Sequence, residues 1–244
     1  MSSPYSGREQ TEAKHFILRR YLQALAFKVL HVWDITYVDG FSGPWESRSK
    51  DFSDTSFMIA TQVLKDAQQL MFAQNGRRRR IRCVFSEKDS KAYEELKKAV
   101  APHHRPGNGF EIVTFHGPFE VAVPEIKKAI GNTFPLIFID PTGWTGYAFQ
   151  KIKPIFESEK CEVLINFMYD FVNRFVASQD ETIVASLDPI LGGSGWRDRL
   201  EPRRAQDVSS NRIRGLEIAR KESSECKREK GGSADEHRRI ISRS

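Results

Sequence analysis

A chain of 244 residues with 39% hydrophobic and 11% aromatic side chains can bury a core of its own, which excludes a chain disordered throughout and a miniprotein dependent on disulfides. Of its 38 basic and 32 acidic residues, 14 and nine fall between Arg197 and Ser244, so most of the net charge of +6 belongs to that segment and the preceding body is close to neutral. The sequence isoelectric point of about 9.2 is therefore a weak argument for nucleic-acid binding by the whole chain. Cys83, Cys161 and Cys226 lie far apart and form neither a C-x-x-C pair nor a cysteine–histidine cluster, a pattern that offers no disulfide framework or zinc site and suits a reducing cytoplasm. No apolar run approaches the roughly 18 residues of a membrane span, and the polar stretch from Met1 to Gln10, read as disordered, lacks the apolar centre of a signal peptide.

In chain order, apolar residues from Ile17 to Val29 recur at three- and four-residue steps and predict an amphipathic helix over Thr11 to Leu30. Ile35 to Phe41 reads as a strand running into the loop Asp39-Gly40-Phe41-Ser42-Gly43-Pro44, whose glycines permit backbone conformations closed to other residues. Helical spacing returns from Ser56 to Phe72. Strands are expected at Ile81 to Ser86, Phe110 to Phe115, Phe134 to Ile139 and Cys161 to Met168, with helices at Tyr93 to Val100, Val123 to Ile130, Tyr147 to Phe156 and Asp170 to Phe175. The continuous apolarity of Phe134 to Ile139 suits a central parallel strand covered on both faces. Five alternating strand and helix units predict an α/β fold with a doubly wound, mostly parallel sheet over residues 11 to 200. No aromatic residue follows Trp196, and the segment from Glu201 to Ser244 reads as a charged, disordered tail.

Ligands of open α/β sheets bind outside the carboxyl ends of the strands, and this chain places Asp39, Glu87, His116, Asp140 and Asn166 at those ends in turn. A glycine-rich first turn lets backbone amides approach a ligand, and an acid ending the second strand can accept both hydroxyl hydrogens of a ribose; together they describe a nucleoside-type ligand. The dinucleotide fingerprint G-x-G-x-x-G and the G-x-x-x-x-G-K-[ST] loop are both absent. Lys14, on the first helix, could reach the same edge, although a solvent-facing lysine is the default reading. The run Arg77 to Arg80 with Arg82 reads as a solvated loop, His103-His104 as a surface turn, and Asn166 as a side chain satisfying backbone groups.

The loop from Asp39 to Pro44 resembles the first motif of S-adenosylmethionine-dependent methyltransferases, and Asp140-Pro141-Thr142-Gly143-Trp144 resembles a variant of the D-P-P-[YFW] motif of enzymes that methylate exocyclic amino groups. Trp45 stands where a third glycine is common, and a threonine and a glycine interrupt the second motif. Tyr37 to Pro44, Phe85 to Asp89, Ile139 to Trp144 and the strand Val163 to Phe167 are together similar, in order, to motifs of the three-Cys-motif partner protein family. The likeness covers residues 11 to 200. It implies a methyltransferase-like fold with S-adenosylmethionine as cofactor, and a partner protein of the radical S-adenosylmethionine type bearing the three cysteines that name the family. On this resemblance Asp39, Gly40, Phe41, Gly43, Pro44 and Glu87 hold the cofactor, while Asp140, Pro141 and Trp144 address an amino group of a nucleic acid or nucleotide.

Alternatives stand beside these assignments. Asp140 caps a helix or receives an amine, and Trp144 packs or stacks on a base, with neither reading preferred. Besides a methyltransferase-like enzyme, the chain reads as a non-catalytic partner module of the same fold, or as a basic-tail nucleic-acid binder. Methyltransferases of this class finish their sheet with two further strands, none of which is readable after Met168, so the polar end is taken as a truncated or frameshifted reading, in preference to an interaction tail, and the missing strands leave a hydrophobic sheet edge exposed.

Overall fold

A computed structural model describes residues 5–199, apart from residues 45, 46, 144, 177 and 179. The expected charged tail and Trp144 thus lie outside the described residues. The described chain divides into two compact units, one ending at Met168 and one beginning at Tyr169.

The first unit holds α1 (Glu9–Leu30), β1 (Ile35–Asp39), α2 (Ser56–Asn75), β2 (Ile81–Glu87), α3 (Ser90–Val100), β3 (Phe110–His116), α4 (Phe119–Ile130), β4 (Phe134–Ile139), α5 (Phe149–Ile152) and β5 (Glu162–Ile165). All five strands are parallel, in the order β3-β2-β1-β4-β5. This is the doubly wound, Rossmann-like sheet that the alternating strands and helices predict. Boundaries shift by a few residues. The strand expected at Cys161 to Met168 is only four residues long, and the helix expected over Tyr147 to Phe156 is one α turn continued by a 3-10 turn at Lys153–Phe156, with Pro154 unable to donate to a longer helix.

Strand periodicity sorts the side chains into two layers. Ile35 and Tyr37 of β1, Ile81, Cys83 and Phe85 of β2, and Leu136 and Phe138 of β4 share one core with Leu18 and Leu22 of α1, Phe57 and Leu64 of α2, and Leu96 of α3. The alternate residues Val38, Val84, Ile137 and Ile139 are also fully buried but outside that core, on the face where α4 buries Phe119, Val123, Ile126 and Ile130. Burial on both faces explains why β4 is apolar without alternation. Helix ends are fixed locally: the Thr55 hydroxyl accepts the Met58 amide at the start of α2, and Gly76, at φ 68°, ends it in the left-handed region that favours glycine.

Among the described residues β5 pairs only with β4, leaves Ile165 44% exposed, and is followed by no further strand. The second unit contains α6 (Tyr169–Val176) and α7 (Glu181–Ala185), and in it the Asp188 carboxylate accepts from the Trp196 indole at 2.8 Å and the Arg197 guanidinium at 2.8 Å. No helix among the described residues is long and apolar enough to cross a membrane. Cys83 is buried and Cys161 half-buried, both as free thiols.

Tyr37 is fully buried, and its hydroxyl has no hydrogen-bond partner among the described residues. A buried unsatisfied hydroxyl costs about 1–3 kcal/mol, so Tyr37→Phe is expected to raise the unfolding free energy by roughly 1 kcal/mol in urea titrations. A loss of stability instead would mean that the hydroxyl is satisfied.

Candidate functional site

The order of the strands reverses between β1 and β4, and open α/β sheets take ligands outside the carboxyl ends of two such neighbours. Asp39 ends β1 opposite Phe85 and Phe138, and Asp140 follows β4 directly. Periodicity turns Asp39 toward the face covered by α1 and α2. Its carboxylate is wholly buried, with Oδ1 accepting the Phe41 amide at 3.0 Å and Oδ2 accepting the Ser56 hydroxyl at 2.8 Å. Burial, with a smaller contribution from the nearby Asp140 charge, raises its pKa to about 6 against the opposing pull of those two bonds. With both oxygens engaged, Asp39 fastens the loop and the start of α2 to the strand.

Asp140 is held by two partners. Its Oδ1 accepts from Lys14 Nζ at 2.9 Å and from Asn166 Nδ2 at 2.6 Å, while Oδ2 takes no hydrogen bond among the described residues. Lys14 therefore reaches the sheet edge, and the side chain of Asn166 meets a carboxylate where the sequence reading gave it backbone groups. Asp140 does not cap α5, whose N-cap is Ala148. Burial of the Tyr37 hydroxyl, reinforced by the Asp39, Cys83 and Asp140 charges, pushes its pKa well upward, which brings Tyr37, Asp39 and Asp140 into one electrostatic neighbourhood.

The other sequence candidates sit around this pair. Gly40 and Gly43 are not among the positive-φ residues, contrary to the expectation of unusual backbone conformations. Gly40 is demanded by packing: a Cβ there would lie 2.7 to 2.9 Å from the Phe119 ring. Phe41 packs against Phe119 and Tyr147 with ring centroids 5.8 and 6.2 Å away, Gly43 is half-buried, and Pro44 and Pro141 are buried. The loop is further held by Ser42, whose amide donates to the Ser86 carbonyl at 3.0 Å and whose hydroxyl donates to the Asp39 carbonyl at 2.8 Å. Glu87 is 3% exposed, lies opposite His116, and accepts the Asp89 amide on Oε1 at 2.7 Å. It stands two residues beyond Phe85, the partner of Asp39, which places it about 6–7 Å further along the strand direction. His116 is bound to α3 by Ser90 at 3.2 Å and by stacking on Tyr93 at 4.8 Å.

A third buried carboxylate, Asp54, escaped the sequence reading. It accepts from Arg8 Nη2 at 2.8 Å, Ser47 Oγ at 2.6 Å, and the Arg48 and Ser49 amides at 2.9 and 3.3 Å. Burial alone would raise its pKa; these four bonds bring it to about 2. The only local signal was its place in the polar run before a helix. A hollow of about 690 Å³, lined in part by Arg8, Gln10, Ser47 and Arg48, opens at this ion pair. Its volume falls within the usual range of small-molecule sites. Gln10 and Lys14 are four residues apart on α1 and so share a helix face. His15 also has a partner, the Tyr5 hydroxyl at 3.0 Å from Nδ1; burial pushes its pKa down despite the Asp140 charge. Among the described residues no cluster of histidine, cysteine and carboxylate side chains could hold a metal ion.

Compared with family models and with curated proteins, the sequence matches none.

Two measurements check this geometry. The raised pKa of Asp39 means that the fold binds its proton more tightly than the unfolded chain, whose value is near 3.8. Its contribution to stability is full below pH 4 and is lost as pH rises through about 6. Asp39→Asn should abolish that component, so the stability difference between variant and parent should move by roughly 2 kcal/mol in the variant's favour from pH 4 to 7; a pH-independent difference would place the carboxylate in water. Gly40→Ala should cost about 1–3 kcal/mol through overpacking, and adding Phe119→Leu should recover part of it, a non-additivity that separates the ring clash from a purely backbone effect.

Proposed function

We propose that the chain is an S-adenosylmethionine-binding, methyltransferase-like protein whose crevice between β1 and β4 receives an amino group of a nucleotide or nucleic acid. The observation that carries this reading is the pairing of Asp39 and Asp140 at the sheet's switch point, with Asp140 Oδ2 open to a donor while Oδ1 is fixed by Lys14 and Asn166. A carboxylate anchored through one oxygen can orient an N–H bond through the other, so that the amine's lone pair is turned toward an electrophile. The buried Pro141 offers its carbonyl as a second acceptor. S-adenosylmethionine, when bound, supplies the electrophilic methyl group. Glu87 and the loop from Gly40 to Pro44 would hold it, with the hollow beside Arg8 and Gln10 giving room for a nucleoside-sized ligand.

A second reading keeps the fold without catalysis, as a partner module of a radical S-adenosylmethionine protein of the three-Cys-motif type. Phe119 against Gly40 favours it, because the ring occupies the space through which loop amides would approach a ligand.

Calorimetric titration with S-adenosylhomocysteine is expected to give saturable binding, weakened at least tenfold by Glu87→Ala. Asp140→Asn should leave that binding within twofold while reducing methyl incorporation into mixed DNA, RNA and nucleotide pools by about a hundredfold, the scale of one oriented catalytic contact. Absence of binding at millimolar ligand by folded protein would overturn the first reading and leave the partner module.

A further inference from the structure

The arginine run before β2 resolves into separate tasks. Arg79 donates through its guanidinium to the carbonyls of Leu30 at 3.2 Å and His31 at 2.9 Å. Arg80 pairs with Asp34 at 3.0 Å, and Arg82 with Glu111 at 2.7 Å. Arg78 does none of this: it lies over the Phe72 ring, 4.4 Å from the centroid, and faces a cavity of about 200 Å³ between α2, this segment and the turn before β3. Lys65, His103 and Arg105 line the same cavity, and among the described residues no carboxylate does. Among the described residues none of Lys65, Arg78 and Arg105 belongs to an ion pair.

We propose that this cavity is a binding site for a small phosphate-bearing anion, separate from the crevice at the other end of the strands. Three cations that have no carboxylate partner among the described residues and converge on one concavity repel one another, and an anion between them removes that cost. A guanidinium fork matches two phosphate oxygens at once, and the stacking of Arg78 on Phe72 holds one such fork in place. His103 adds a buried Nδ1 with no partner among the described residues. The frame around these groups is rigid, because the Gln68 amide donates to the carbonyls of Arg79 at 2.6 Å and Gly109 at 3.0 Å and so ties all three segments together. A concavity of this size suits one phosphate or pyrophosphate group, whereas a nucleic-acid strand calls for cations spread along a path. The strands begin here, at Ile81 and Phe110, so the occupant is not the molecule bound at Asp39 and Asp140, and the inference stands whether or not the crevice takes S-adenosylmethionine.

Titration of the full chain with sodium pyrophosphate at 50 mM salt tests it, with inorganic phosphate as a weaker congener. One saturable site is expected, weakened at least tenfold in the double variant Arg78→Gln, Arg105→Gln and unchanged in Asp140→Asn. Both substituted arginines are exposed, and unaltered thermal unfolding of the double variant verifies that it folds. No saturation by 10 mM pyrophosphate, or equal binding by the double variant, would overturn the proposal. So would an oligonucleotide that binds without being displaced by pyrophosphate.

Discussion

Negative charge buried at one edge of a sheet is the constraint around which this chain is arranged. Asp39, Asp54 and Asp140 all leave water to some degree, and an ionised carboxylate in a protein interior is tolerated only when its oxygens are engaged. Each is provided for differently. Asp39 has an amide and a hydroxyl, Asp54 a guanidinium, a hydroxyl and two amides, and Asp140 an ammonium and a side-chain amide. Both cations in this set, Arg8 and Lys14, come from the first fifteen residues, so the start of the chain neutralises groups that arrive up to 126 residues later. That is why α1, outside the strand–helix alternation, is part of the site.

The three carboxylates are not equivalent. Asp54 is held far below its ordinary pKa and behaves as a permanent anion paired with Arg8. Asp39 is pushed the other way, since a single amide and a hydroxyl compensate burial poorly and Asp140 lies near. An environment that separates neighbouring acids in this way is common at ligand-binding edges, though structural networks also produce it. Asp140 alone combines a fixed orientation with an oxygen turned to no other group among the described residues, which is the property a receiving site needs.

The fold was legible because each of its signals is local. Alternation of apolar runs and helical spacing located all five strands, and the unbroken Phe134 to Ile139 run announced an interior strand. The position of Asp39, Glu87 and Asp140 at strand ends was legible for the same reason. What escaped depends on contacts distant in sequence. Nothing near Gly40 announces Phe119, 79 positions away, as the cause of the glycine, and a φ-based explanation was the natural but mistaken one. Arg8 and Asp54 meet across 46 positions. The arginine run looked uniform because composition cannot tell which carbonyl or carboxylate each guanidinium will meet.

The two margins of the sheet differ in how they are closed. Along β3 the turn at His104 and Arg105 folds back on the strand: His104 Nδ1 accepts the Ile112 amide at 3.0 Å, and Arg105 exchanges backbone bonds with Phe110 at 2.8 and 3.1 Å. β5 has no such hem among the described residues. Growth of the sheet is thereby hindered at the β3 margin: at the beginning of β3 an incoming strand would first have to peel the turn away.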